Sequence, residues 1–479
     1  MPLTDNEGTP PLISRRRLIG TGSLAAATLG ATRCGRVVEE ADVIVLGAGL
    51  AGLGAALELK KNGLKPLVLE AKNRPGGRIR TLRSLPGRPE AGGTQISSNY
   101  QRFVKIADEL GIALKEDSPM RRDRPEFWIS LEGEPILPEA WASHPSNPFE
   151  DAFATVPPWA LPFVSMGKDN PLPDVGSWKD PAYAQYDVSV AEHLGWRADQ
   201  LAIGFGTNPG YGPDAAGQSA LMWFQIMKAI ATPGGKLLTV AGGNDRVPFA
   251  MADALGDAVR YRAVAERVDV TPNGIDVWTN DGRRYRAKQA ISTLPAEAIR
   301  NLALNGPLSQ PQETGIQQLR YNRVVRAYFI PKRSFWDDDG LPPSIWSDGL
   351  AGRAFALRGF GDERITMIQS FITGPAADKL DGMSETTALA TVQASLESIR
   401  PSCVGALEPV AIVSWGNDRY AGGAYACWQP GQISTFANAM AKPAGQLHFA
   451  GEHTARYSRG IEGALESAER AVSELLATV

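Results

Sequence analysis

The first regular pattern in the chain is Ala41-Asp42-Val43-Ile44-Val45-Leu46, a short apolar run rich in β-branched residues. Such a run fits a parallel strand buried on both faces. It leads into Gly47-Ala48-Gly49-Leu50-Ala51-Gly52, after which Ala55-Ala56-Leu57-Glu58-Leu59 has helical periodicity. Pro66-Leu67-Val68-Leu69-Glu70 is a second strand, ending in an acid. Far downstream, Ala263 to Val270, Gly274 to Trp278 and Ala290 to Pro295 predict further strands, with a hairpin turn at Asn273-Gly274. Near the end, His448-Phe449-Ala450-Gly451 reads as a strand entering a loop, and a helix is expected from Gly460 to about Leu476. Strand, turn, helix and strand in this order define an α/β fold around a parallel sheet.

The glycine turn has a physical reading of its own. Gly47 permits the tight turn, Gly49 lets backbone approach a pyrophosphate, and Gly52 allows helix to pack closely on strand. The helix opening at Leu50 and Ala51 turns the positive end of its dipole toward an anion. Glu70, at the end of the second strand, is placed to accept hydrogen bonds from a ribose diol. A dinucleotide site follows.

The next residues point to which dinucleotide. Glu70-Ala71-Lys72-Asn73-Arg74-Pro75-Gly76-Gly77-Arg78-Ile79-Arg80-Thr81 resembles the EAxxRxGGRxxT segment of the flavin-containing amine oxidase superfamily. Glu90-Ala91-Gly92-Gly93-Thr94-Gln95 resembles that family's next glycine turn. Phe449-Ala450-Gly451-Glu452-His453-Thr454 with Gly460-Ile461-Glu462-Gly463-Ala464-Leu465-Glu466-Ser467 resembles its C-terminal signature, in which a second helix N-terminus faces the flavin. The resemblance extends over nearly everything from Asp42 onward and is least distinct over about 115–215 and 340–405. It implies a discontinuous, Rossmann-like FAD-binding domain (41–100, 236–305 and 406–479) and a mixed α+β substrate domain (101–235 and 306–405). It further implies FAD contacts from Gly47, Gly49, Leu50, Ala51, Gly52, Glu70, Ala71, Arg74, Gly77, Arg78, Gly93 and Thr94. Ala265, Gly451, Glu452, Gly460, Ile461 and Ala464 complete that set, with Arg78 as a fixed cation for the diphosphate.

On the substrate side, Trp415 to Tyr425 resembles the segment that faces the flavin ring. Members with covalently bound flavin carry a cysteine directly after the glycine pair; here the residue is Ala424, so FAD is expected to be non-covalent, with Cys427 a small core residue. Tyr425 matches one wall of the family's aromatic amine cage, where ring quadrupoles align a neutral amine. The second wall usually precedes the EGA motif, but Gly460 stands there and leaves the cage open unless Tyr457 folds back. At the position of a lysine found in many members stands Arg326, which stays protonated and cannot be a base. Slow reaction with dioxygen, or a periplasmic protein or quinone acceptor, is then a real alternative. Amino-acid oxidases of the family place an arginine shortly after the turn that here reads Gly92 to Ser97. None follows until Arg102, and Arg121, Arg122 and Arg124 read as a solvated loop, so an amine is expected over an α-amino acid. The expected catalytic set is Tyr425, Trp415 and Arg326, oxidising a C–N bond by hydride transfer. An L-amino-acid oxidase, a desaturase of the same fold and a non-catalytic flavoprotein remain the alternatives.

Composition changes this little. With 49 Lys+Arg against 52 Asp+Glu, bulk charge gives no reason to expect nucleic acid as a partner. Three cysteines make no disulfide framework, and four histidines form neither a triad nor a metal-ligand spacing. The leader differs from the rest: Ser14-Arg15-Arg16-Arg17-Leu18-Ile19 before a mildly apolar stretch from Gly20 to Ala31 resembles a twin-arginine export signal. It implies a periplasmic or exported protein that leaves the cytoplasm already folded. No later run is long and apolar enough for stable membrane insertion, and the oligomeric state is open.

Overall fold

The computed structural model describes residues 38–116, 127–206, 211–232, 234–359 and 364–478. The leader and Arg121, Arg122 and Arg124 lie outside the described residues.

β1 (Val38–Leu46) lies inside the first sheet, parallel to β2 (Pro66–Leu69) on one side and to the strand Arg284–Ser292 on the other. Residues Val43 to Leu46 are at most 2% exposed, as a strand covered on both faces must be. The strand Leu447–Phe449, from the far end of the chain, joins Arg284–Ser292 in parallel. The hairpin Ala265–Thr271 and Gly274–Thr279 extends the sheet with Thr271 opposite Gly274, so the turn residues are Pro272 and Asn273, one position before the expected Asn273-Gly274. α1 (Leu50–Lys61) packs against the last helix, Gly460–Leu476. Gly54 allows this approach, because a Cβ there would lie 3.0 Å from the Leu465 side chain. Leu53 and Leu465 are buried in the shared core, each worth roughly 1.5–3 kcal/mol in removed apolar surface.

The second sheet has seven strands, in the order Leu407–Ser414, Val324–Pro331, Ile365–Thr373, Arg353–Arg358, Ser344–Ser347, Phe127–Leu131 and Glu134–Ile136. All neighbours are antiparallel except Ser344–Ser347 with Phe127–Leu131. Period-two alternation gives it two characters. Val325, Ala327, Phe329, Ile368 and Ile372 belong to a core shared with the helix Glu385–Ile399, through Val392 and Leu396. The opposite face carries a row of directly paired residues, Arg326, Phe371, Arg353 and Trp346, and this row lines a large cavity. The strand Leu407–Ser414 forms the edge of this sheet beside Val324–Pro331, so the chain returns to the first sheet only after Ser414. The architecture is the α/β one read from the sequence: a Rossmann-like domain assembled from separated segments and a mixed second domain.

Candidate active site

A cavity of about 1270 Å³ runs from the glycine turn after β1 to the cavity face of the second sheet. At the turn, Gly47 has φ +96° and its N–H donates to Leu69 O at 2.8 Å, a geometry that favours glycine. A Cβ on Gly52 would sit inside the Gly47 carbonyl, whereas a Cβ on Gly49 would meet nothing within 4 Å. Gly49 therefore opens onto free space, and Gly52 is where helix meets strand. α1 starts with Gly49 as its N-cap, without a side-chain cap or an acid in its first turn, so its N-terminus is left for an anion. The Glu70 carboxylate, buried at the end of β2, accepts from Ala48 N at 2.6 Å and Lys72 N at 2.8 Å. Burial pushes its pKa up in spite of these donors. An open glycine, an uncapped helix terminus and a buried acid beside them fit a dinucleotide.

Most of the expected cofactor residues line this cavity: Gly47, Gly49, Leu50, Ala51, Glu70, Ala71, Gly77, Arg78, Gly93, Thr94, Ala265, Gly451, Glu452, Gly460, Ile461 and Ala464. Gly52 and Arg74 do not. Gly52 packs, and Arg74 donates to the carbonyls of Pro75, Gly77 and Ile79, holding the bend that carries Gly76 and Gly77. Arg78 reaches the cavity with its charge already partnered. Its Nη1 donates to Ala424 O at 3.0 Å and Glu452 Oε1 at 3.1 Å, and the guanidinium lies 5.2 Å from the Tyr321 ring centroid. Glu452 also accepts from Ala426 N at 2.8 Å. Burial alone would raise the Glu452 pKa, but Arg78 and its other cationic neighbours hold the carboxyl below its usual range. The pair thus clamps the first glycine segment to the last one. Beside it, burial pushes His453 down to about 4, which keeps the ring neutral at physiological pH.

At the other end of the cavity, Trp415 is buried and donates from Nε1 to Ala91 O at 2.6 Å, which fixes the indole against the second glycine turn. Arg326 projects from Val324–Pro331 and donates from Nη1 to Glu90 O at 2.7 Å and Thr94 Oγ1 at 2.8 Å. Just behind it, burial pushes the Glu90 carboxyl up to about 8 although Asn244 N and Thr81 Oγ1 donate to it. The Tyr425 hydroxyl accepts from Asn322 Nδ2 at 3.0 Å, and burial raises its pKa, so the phenol stays neutral. Its ring partner is Tyr211, with centroids 5.5 Å apart and planes at 50°. Tyr457 is at the rim instead: its ring rests on Gly176 and the residue is 58% exposed. Ala424 lines the cavity with a methyl group, while Cys427 is buried away from the lining, its Sγ close to Gly212.

Tyr211, Phe371 and Arg353 are cavity residues that the sequence did not disclose. Tyr211 sits in a Gly/Pro-rich loop with no periodic signal. Phe371 and Arg353 become neighbours only through strand pairing. Among the described residues, no group of three or more His, Cys, Asp or Glu is placed to hold a metal ion, and no helix is long and apolar enough to cross a membrane.

A dinucleotide cavity closed by the chain's last helix and walled by an aromatic, mostly antiparallel sheet defines a flavin-dependent oxidoreductase of amines. Residues 50–476 match the family model of flavin containing amine oxidoreductases, and the chain belongs to that family. It is 28% identical to human flavin-containing amine oxidase B, over 91% of this chain and 86% of that protein, and 25% identical to bovine amine oxidase A over 91% and 85%. Among solved structures it resembles putrescine oxidase bound to putrescine, with a TM-score of 0.74 and 23% identity over 92% of this chain and 100% of the other. Cyclohexylamine oxidase from Brevibacterium oxydans IH-35A superposes with a TM-score of 0.73 at 20% identity, covering 91% and 99%. The cofactor is FAD; Ala424 stands where members with covalent flavin carry a cysteine, and no thiol lines the cavity among the described residues.

Proposed function

We propose that the protein oxidises the C–N bond of a small amine, giving an imine that hydrolyses to an aldehyde or ketone and ammonia or a smaller amine. The observation that carries this reading is the continuity of one cavity from the glycine turn to the Tyr425 and Tyr211 rings. Bound there, FAD supplies the two-electron sink for a hydride from the α-carbon.

The chain's own residues supply orientation, charge and dryness. Tyr425 and Tyr211 present aromatic faces to a neutral amine, and Asn322 fixes the Tyr425 hydroxyl. Trp415 and Phe371 exclude water from the same region. None of these groups is a base. Among the described residues, the cavity carboxylates Glu70, Glu452 and Glu462 are occupied by Ala48 and Lys72, by Arg78, and by Arg102 and Phe103 N respectively, and Glu266 lies on the first sheet beside Ala265. Arg326 stays protonated. The amine must therefore lose its proton to solvent before it reacts, and the rate of reduction should rise with pH through the pKa of the bound amine. Electrons pass on to dioxygen, giving hydrogen peroxide, or to a protein or quinone acceptor, which the arginine at position 326 favours. The leader from Ser14 to Ala31 exports the folded, flavin-loaded chain to the periplasm.

The test is anaerobic mixing of the holoenzyme with primary, secondary and cyclic amines while the flavin band is followed. Bleaching by one amine, faster at higher pH, is expected. A flavin untouched by every amine refutes the reading, and a pH-independent reduction refutes the neutral-amine step. Admitting air to the bleached enzyme then tests dioxygen as acceptor.

A further inference from the structure

Arg353 is a cation for which the reaction above has no use. It stands inside the second sheet, on the strand Arg353–Arg358, with Phe371 paired on one side and Trp346 on the other, and all three line the cavity. Its guanidinium lies 5.3 Å from the Phe371 ring centroid, and its Nε is buried without a hydrogen-bond partner. Among the described residues no carboxylate pairs with it. Its electrostatic neighbours are the phenols of Tyr425 and Tyr211, and that of Tyr425 is held neutral by burial. Desolvation lowers the Arg353 pKa, but an arginine does not give up its proton in a protein.

Among the described residues, the rest of this end of the cavity offers no compensation. Arg326 sits against the same Phe371 ring at 5.3 Å, and Arg459 is 6.0 Å from the Tyr211 ring centroid. Glu452 already partners Arg78, and Glu462 already partners Arg102. Glu70 is held at the glycine turn, and Glu266 lies beside Ala265 on the first sheet. As far as the described residues go, the substrate end is therefore cationic. A guanidinium held in such a place without a counter-charge is costly unless an anion joins it there. Its planar fork of N–H donors matches a carboxylate.

We propose that Arg353 binds the carboxylate, or a like planar oxyanion, of the substrate itself, so that the amine oxidised here belongs to a molecule that also carries an acid group and an apolar body. This deepens the amine-oxidation reading and rests on it. The apolar body is met by Trp159, Phe163 and Phe355, which line the same cavity. The anchor absent after Ser97 is thus supplied by a different strand.

The experiment compares matched pairs on the holoenzyme under anaerobic conditions: phenylalanine against phenethylamine, and 4-aminobutyrate against propylamine. In at least one pair, the acid-bearing member is expected to reduce the flavin with a rate constant over Kd about tenfold or more above its partner's. Arg353→Met should bring that ratio near one through Kd, and Arg353→Lys should keep part of it. Phenylacetate, which has no amine to oxidise, reads the subsite without turnover: titrated by protein fluorescence, it should bind Arg353→Met about tenfold or more weakly. The flavin-to-protein ratio of Arg353→Met should match the wild type; loss of flavin would assign the arginine to the cofactor and overturn the proposal. Faster or equal reduction by the acid-free member of both pairs overturns it too, and leaves amine oxidation standing. Reduction by neither member, nor by any other amine, removes the amine reading and the subsite with it. Should Arg353→Met fail to fold, the wild-type ratio and Arg353→Lys decide.

Discussion

Replacing Gly49 by alanine and, separately, Gly52 by alanine puts the same methyl group at two points of one turn, with opposite expected results. At Gly49 the methyl meets nothing within 4 Å, and the backbone (φ −72°, ψ 177°) suits any residue. The fold should lose no more than about 1 kcal/mol, the cost of a poorer N-cap. The methyl would stand where the open turn and the uncapped N-terminus of α1 would receive the cofactor's diphosphate. Displacing one charge-assisted backbone contact, at about 1.5–3 kcal/mol, weakens FAD binding about ten- to hundredfold. At Gly52 the methyl runs into the Gly47 carbonyl, a backbone atom that cannot swing aside. Overpacking of that kind costs about 3 kcal/mol, against at most about 1 kcal/mol regained in helix propensity, so the fold itself should lose about 2 kcal/mol. The assay is thermal unfolding of the flavin-free proteins at one scan rate, followed by titration with FAD. G49A binding FAD within about twofold of wild type, or G52A unfolding at the wild-type temperature, would refute the division of labour between the two glycines.

Other expectations follow from the same geometry. Glu452→Gln leaves Arg78 without its counter-charge; as Arg78 is a quarter exposed, the cost should be about 2–3 kcal/mol, below the usual value for a fully buried pair. In a double-mutant cycle with Arg78→Met, equal and additive losses would show that the two do not couple. Glu90, raised from 4.5 to about 8, is protonated in the folded chain while the unfolded chain ionises, so its contribution to stability is whole below about pH 4.5 and is lost as pH rises toward 8. The melting temperature of Glu90→Gln should gain on the wild type across that window and level off above it; a pH-independent difference would contradict the buried, protonated acid. Lys179, lowered to about 7 by burial, works the other way, since the unfolded chain holds the proton that the folded chain releases. Lys179→Met should stabilise most near pH 7 and least above pH 10.5, and thermal melts at the two pH values check it. Tyr425→Phe, which keeps the ring, should retain most of the flavin-reduction rate, whereas Tyr425→Leu should lose about tenfold or more; equal rates would remove the aromatic face from the reaction.

The parts of the fold that could be read from the sequence were those where one residue type has one job. Val43 to Leu46 form an unbroken apolar run because both faces of the strand are covered. Gly47 and Gly52 stand where any side chain would collide or be strained, and Gly460 opens a helix that ends at Leu476, as its periodicity implies. Partnership was harder to see. Arg74 spends donors on carbonyls of its own loop and does not line the cavity, whereas Arg78 does line it while its Nη1 donates to Ala424 and Glu452, hundreds of residues away. Tyr457 was the nearest aromatic in sequence to the open side of the cage, but Tyr211, from a loop without pattern, is the ring beside Tyr425. Arg353 had no local signal at all. Its meaning comes from strand order, which places Arg326, Phe371 and Arg353 side by side although their sequence neighbours say nothing of it.

The clamp between Arg78 and Glu452 joins residues 374 apart. A ribosome adding about 5–20 residues each second needs roughly 20–75 s to deliver the second after the first. For most of that interval β1 and α1 are already outside the ribosome, but the helix that covers Leu53 does not yet exist. The nascent chain therefore carries an uncovered apolar face for most of its own synthesis, the condition in which transient aggregation has to be avoided. Flavin loading would then wait for the finished polypeptide, because Glu452 and Gly460 line the same cavity as Gly49, and a chain stalled before Glu452 would be expected to emerge colourless.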